Sequence, residues 1–156
     1  MDEMNHLDEQ GHVRMVDVGQ KAVTSRVATA IARVAMTTAT RDRLFSGDLP
    51  KGDALATVRI AAIQGAKRTS DLIPLCHPLP ITSIDVTVEA DDGGAVIRVT
   101  VGVSGRTGVE MEAMTGASIG ALAMYDMIKG IDREASVSSV EVVAKSGGRS
   151  GSWERA

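Results

Sequence analysis

Apolar positions along this chain fall into short runs with different periods. Over 82–90 they alternate: Ile84, Val86 and Val88 share one face, and Asp85, Thr87 and Glu89 the other. That is the period of a half-buried strand. Asp91-Asp92-Gly93-Gly94 follows as a hairpin turn, and 95–103 reads as the returning strand. Behind Pro50-Lys51-Gly52, Asp53 is a candidate N-cap. Leu55, Val58, Ala62 and Ile63 then recur at helical spacing, which predicts a helix to about Arg68. A shorter helix is predicted over 37–46, with Thr37 or Thr38 as cap and Gly47 closing it. Residues 111–129, entered near Glu110, carry the strongest helical pattern, and 137–144 reads as a final strand.

Segment 23–36 fits two readings. Period two puts Val23, Ser25, Val27, Thr29 and Ile31 on one face, while its alanines favour helix. With a strand there, the order is strand, helix pair, strand, strand, helix, strand. This is the split, ferredoxin-like β-α-β-β-α-β pattern: an α+β fold with an antiparallel sheet and helices on one face. Pro74, Pro78 and Pro80 make 71–82 a stiff loop, since proline fixes φ and removes a donor. We expect a polar N-terminal tail over 1–14, one domain over 15–151 and a short tail over 152–156. The Gly- and Ser-rich end, SGGRSGSWERA, reads as irregular.

Composition narrows the function classes. The 156 residues suit one domain with a real core. Aromatics are limited to Phe45, Tyr125 and Trp153, so the stacking platform of a single-strand nucleic-acid binder is missing. A net charge of −3 supplies no general attraction for a polyanion, although a local cluster of bases suffices for a small anion. No apolar run reaches membrane-spanning length, and the acidic start is unlike a signal peptide. Cys76 is the only cysteine, so no intrachain disulfide forms, and no Cys/His spacing suggests structural zinc. The expectation is a reduced, cytoplasmic protein that engages neither nucleic acid nor membrane.

Candidate chemistry sits in three places. His77 lies between prolines in the stiff loop, where a fixed imidazole suits ligand binding or proton transfer, or serves structurally. Cys76, adjacent in sequence, points the other way in an extended chain and makes a poor nucleophile–base pair with it. Glu110 and Glu112 open the long helix, where carboxylates also gain from the helix dipole. Asp126 and Lys129 stand near its other end, fourteen residues beyond Glu112, or roughly 21 Å at the helical rise. One compact site cannot use both ends of one helix; a large ligand or a site shared between subunits would. The glycines and alanines between 113 and 123 fit either a tightly packed core helix or a subunit interface. Lys21, Arg26, Lys51, Lys67, Arg68, Lys145 and Arg149 are scattered, and KSGGRSG at 145–151 has the makings of an anion-binding loop or of a solvated tail.

Several segments together carry a resemblance: RMVDV at 14–18, KGD at 51–53, AKRT at 66–69, DLIPLCHPL at 71–79, RTGVEMEAMTGAS at 106–118, YDMIKG at 125–130 and AKSGGRSG at 144–151. The chain resembles the MoaC family, the cyclic pyranopterin monophosphate synthases of molybdenum cofactor biosynthesis. The resemblance implies a ferredoxin-like subunit in a homohexamer, a trimer of dimers, with active sites at subunit interfaces. It implies a lyase that converts 3′,8-cyclo-7,8-dihydro-GTP to cyclic pyranopterin monophosphate and releases pyrophosphate. It implies no metal or organic redox cofactor, with Mg²⁺ at most accompanying the phosphates. Asp126 would be the catalytic acid/base, with Lys129 and Lys51 the essential lysines. Leu75, Cys76 and His77, with Glu110, Met111 and Glu112, would bind substrate, and Lys67, Lys145 and Arg26 would contact phosphate.

His, Asp, Glu and a desolvated Lys suit the several proton transfers of ring opening and rebuilding. Lysines suit the charge of a phosphate cyclisation that expels pyrophosphate. A ferredoxin-like RNA-binding module and a non-catalytic oligomer are the other classes. The near absence of aromatics speaks against the first; the second predicts that Lys51 and Asp126 are dispensable.

Overall fold

The computed structural model describes residues 6–156. The elements in chain order are β1 (Thr24–Ala35), α1 (Thr38–Ser46), α2 (Ala54–Lys67), the short α3 (Thr69–Leu72), β2 (Ile81–Asp91), β3 (Gly94–Gly105), α4 (Glu110–Ile128), β4 (Ser136–Ser146) and β5 (Trp153–Glu154). The sheet runs β2-β3-β1-β4-β5, antiparallel throughout. Its first four strands lie in the order expected of the split β-α-β pattern.

Segment 23–36 is a strand, and the fold explains its alanines. In register, Ala28 faces Val101, Ala30 faces Val99 and Ala32 faces Ile97. These residues turn toward the helices and are buried. There α4 lies close against the sheet: a methyl added at Gly116 would come within 3.1 Å of Val99 Cγ1, and one at Gly120 within 3.4 Å of Ile97 Cγ2. Small residues on both surfaces let helix and sheet approach, so β1 uses alanine where β-branched residues would hold the layers apart. The face predicted from Ser25, Val27, Thr29 and Ile31 is the outer one. On it Thr29 and Thr100 hydrogen-bond at 2.9 Å. The small-residue stripe of α4 thus packs the core of its own chain, against the sheet and α2.

The predicted caps are in place. The Thr37 side chain accepts from Thr40 N, and Gly47 ends α1 in the left-handed region at φ 80. The Asp53 side chain accepts from Ala56 N at the start of α2. Asp132 is buried, yet its Oδ2 accepts the Thr37 N–H at 2.9 Å, which ties the loop after α4 to α1. That backbone N–H holds its carboxyl below the usual range.

Short pairings occur at both ends, and the C-terminal one differs from the sequence reading. The C-terminal stretch is not wholly irregular: Trp153 and Glu154 pair with Lys145 and Ala144 of β4. Near the start, Leu7 and Val13 form an isolated bridge around a turn in which Asp8 Oδ1 accepts from Gln10 N and His12 N.

Candidate active site

Two polar clusters occupy opposite ends of α4. At its C-terminal end Asp126 sits between two lysines. Lys51 Nζ lies 3.0 Å from Oδ2 and also donates to the Asp126 carbonyl at 2.6 Å; Lys129 Nζ lies 2.7 Å from Oδ1. The capped start of α2 places Lys51, because Asp53 fixes the chain two residues on. Hydrogen bonds from Lys129 and Lys51 hold the Asp126 carboxyl below the ordinary aspartate range. Lys129 is pushed up, by its bond to Asp126. It is therefore held as an ammonium beside Asp126, rather than as the desolvated, proton-releasing lysine the chemistry suggested. Asp126 is a carboxylate with a cation on each side. All three side chains are about half exposed, so the cluster is open to a ligand.

At the N-terminal end of α4 a cleft of about 490 Å³ is lined by Val16, Val18, Leu75, Cys76, His77, Glu110, Met111 and Glu112, among others. The proline-rich loop forms one wall and the first turn of α4 the other. His77 Nε2 lies 2.8 Å from the Val16 carbonyl. A carbonyl only accepts, so Nε2 carries the hydrogen, and Nδ1 is left as the nitrogen that takes or gives a proton. Glu112 is 4% exposed. Burial pushes its carboxyl up, and the neighbouring Glu110 adds to the effect. Burial and then Glu112 raise the Cys76 thiol, so it is not primed as a nucleophile.

Glu110 Oε1 lies 3.2 Å from Lys145 Nζ, which also donates to Ser150 Oγ at 3.0 Å. Arg26 donates to the carbonyls of Gly105 and Arg106, each at 3.3 Å. Arg26, Glu110, Lys145 and Ser150 bound a side cavity of about 210 Å³. Arg26 and Ser150 also border a larger one of about 850 Å³, with Lys21, Arg106 and Arg149. Shared walls make the three cavities one continuous cleft around the start of α4, polar and acidic inside and basic on the side of the 147–151 loop.

The predicted residues therefore separate into two groups. Leu75, Cys76, His77, Glu110, Met111, Glu112, Arg26 and Lys145 gather at one end; Lys51, Asp126 and Lys129 gather at the other. Lys67 ends α2 exposed and forms no ion pair among the described residues. Lys51 and Asp126 bond to each other within one chain. Sequence reasoning missed Val16, Val18, Arg106 and Thr107 as parts of the cleft. Arg106 and Thr107 open the RTGVEMEA segment, and the alternation of Val16 and Val18 in an otherwise polar start was the available signal. Among the described residues no group of three or more His, Cys, Asp or Glu is arranged to hold a metal ion, and no helix is long and apolar enough to cross a membrane.

Comparison with known proteins agrees with the motifs. A cyclic pyranopterin monophosphate synthase from Herpetosiphon aurantiacus is 54% identical over 153 residues, covering 97% of this chain and 93% of the relative. Those from a Roseiflexus species and Streptomyces griseus are 52% and 51% identical, covering 98% and 97% of this chain and 98% and 86% of their own. Residues 15–148 match the MoaC family over most of the domain that carries both clusters, and the chain belongs to that family.

Proposed function

We propose that this chain is a cyclic pyranopterin monophosphate synthase, converting 3′,8-cyclo-7,8-dihydro-GTP to cyclic pyranopterin monophosphate with release of pyrophosphate. The observation that carries this is the Lys51–Asp126–Lys129 cluster, read beside relatives of that name at about half identity over nearly their whole length. A carboxylate flanked by two ammonium groups is a base whose charge is already compensated. When the anionic substrate arrives, the lysines are positioned to transfer their attraction to its phosphates. The cleft at the other end of α4 supplies complementary groups. Glu112, kept protonated to higher pH by burial, serves as an acid. His77, with its tautomer set by Val16, exchanges protons through Nδ1. Arg26 and Lys145 offer charge to the phosphate end.

These two groups lie too far apart on one helix for a single small ligand, so the reading places each site between subunits. The cleft of one chain meets the Lys51–Asp126–Lys129 corner of another, in a homohexamer built as a trimer of dimers. It assigns no step to a metal or organic redox cofactor, and a divalent ion enters only with the substrate's phosphates. It places the enzyme in the cytoplasm and Lys67 among the phosphate contacts.

The test is anaerobic turnover of 3′,8-cyclo-7,8-dihydro-GTP by the purified protein, following pyrophosphate and the oxidised pterin together. Equal yields are expected. Asp126→Asn should lower kcat by about 10² to 10⁴, the range for losing an acid/base group, with little change in Tm. A folded protein that yields neither product refutes the reading.

A further inference from the structure

The basic wall of the cleft hangs from β4, and its return is fixed by β5. After Ser146 the chain turns through Gly147, Gly148 and Gly151, all left-handed, with φ of 93, 72 and 67. The turn lies directly on Arg26: a methyl at Gly147 would meet the Ser25 carbonyl, and one at Gly148 the Arg26 guanidinium. Arg26 is thus held between this loop and the end of β3, where it donates to the Gly105 and Arg106 carbonyls. Inside the loop, Ser150 Oγ accepts from Lys145, the residue that also faces Glu110. A glycine-rich segment loses much backbone entropy on ordering and does not hold such a shape by itself.

What closes it is the last strand. Trp153 pairs opposite Lys145. Two residues on, Arg155 N donates to the Val143 carbonyl at 2.8 Å and its Nε to the Val142 carbonyl at 2.9 Å. The same Nε lies 3.2 Å from Glu141 Oε2, and the guanidinium sits 5.5 Å from the centre of the Trp153 ring. A two-residue strand is thereby tied to β4 by several bonds. The family match over 15–148 ends inside the loop, while the similarity to individual relatives covers 97% to 98% of the chain.

We infer that β5 is a clasp that holds the 147–151 loop, and through it Lys145 and Arg26, in the geometry that receives the substrate's phosphates. Trp153 and Arg155 are positioning residues for that end of the site. The inference rests on the proposed function, because it takes the basic wall to be the phosphate side.

The experiment compares the full chain with one ending at Ser152, with Arg155→Ala and with Lys145→Ala. Inorganic pyrophosphate affinity, KM, kcat and Tm are read for each. The truncated chain and Arg155→Ala should weaken pyrophosphate binding and raise KM about tenfold, the scale of one misplaced charge-assisted contact, with kcat and Tm little changed. Amide exchange across 147–151 should quicken, and Trp153→Phe should stay close to the parent. In the full chain, Trp153, the only tryptophan, should change its fluorescence on pyrophosphate binding. If Lys145→Ala loses pyrophosphate affinity while the clasp variants keep it, the clasp is wrong and the site reading survives. If no variant changes that affinity, both are wrong. A parallel fall of kcat, affinity and Tm in the clasp variants overturns the inference, because it marks β5 as general support for the sheet edge. If the truncated chain does not fold, Arg155→Ala decides by the same readings.

Discussion

Glu112 and Asp126 are both acidic residues on one helix, yet their surroundings push them in opposite directions. Asp126 is exposed between cations and is lowered; Glu112 is buried beside another carboxylate and is raised. The raised group has a consequence for stability. Folded Glu112 holds its proton at pH values where the unfolded chain, titrating near 4.5, has released it. The native state then binds more protons, so the contribution of Glu112 falls as pH rises from about 4.5 through the folded value. Glu112→Gln removes that dependence. Its Tm should gain on the parent as pH is raised from 4.5 toward neutrality, while turnover falls. Thermal melts across that range check it, and a constant difference in Tm would show that Glu112 titrates normally. The sequence supplied the identity of these residues, but their opposite shifts depend on neighbours 51 and 129 in one case and on burial in the other.

Packing between elements sets a second expectation. Glycine inside a helix costs about 1 kcal/mol relative to alanine, so replacing a helical glycine should stabilise unless space forbids it. Gly65 of α2 has none: an added methyl would lie 2.7 Å from Ile119 Cβ, an atom fixed to the α4 backbone. At Gly120 the nearest atoms are Ala62 Cβ at 3.2 Å and Ile97 Cγ2 at 3.4 Å. Gly65→Ala should therefore destabilise by about 1–3 kcal/mol, as overpacking does, lowering Tm by several degrees, and Gly120→Ala should be close to neutral. Denaturant unfolding of both variants measures this, and equal stabilities would mean that the helices separate freely. The same packing resolves segment 23–36. Its alanines carried a helical signal because propensity is local, whereas α4, nearly ninety residues later in the chain, selects small residues on β1.

At the scale of the whole molecule, the separation of the two clusters makes a complementation experiment informative. Asp126→Asn spoils one corner and His77→Ala spoils the cleft. In mixed oligomers, an intact cleft from one subunit should meet an intact corner from the other and restore activity. Mixing Asp126→Asn with Lys51→Ala should restore none, because both changes damage the same corner. Activity in neither mixture, with mixed assembly verified, would argue that each chain works alone.

The sequence by itself determined the alternating strands, the caps at Thr37, Gly47 and Asp53, the long helix and the rare motifs that mark the family. These are properties of neighbouring residues, set by side-chain period, cap chemistry and backbone freedom. Only the tertiary structure decided that Lys51 joins Asp126, that Val16 fixes the His77 tautomer, that Glu112 is desolvated and that the C-terminal residues return to β4. Each of these joins segments distant in the chain or depends on the surface that packing removes from water, and no local pattern encodes either.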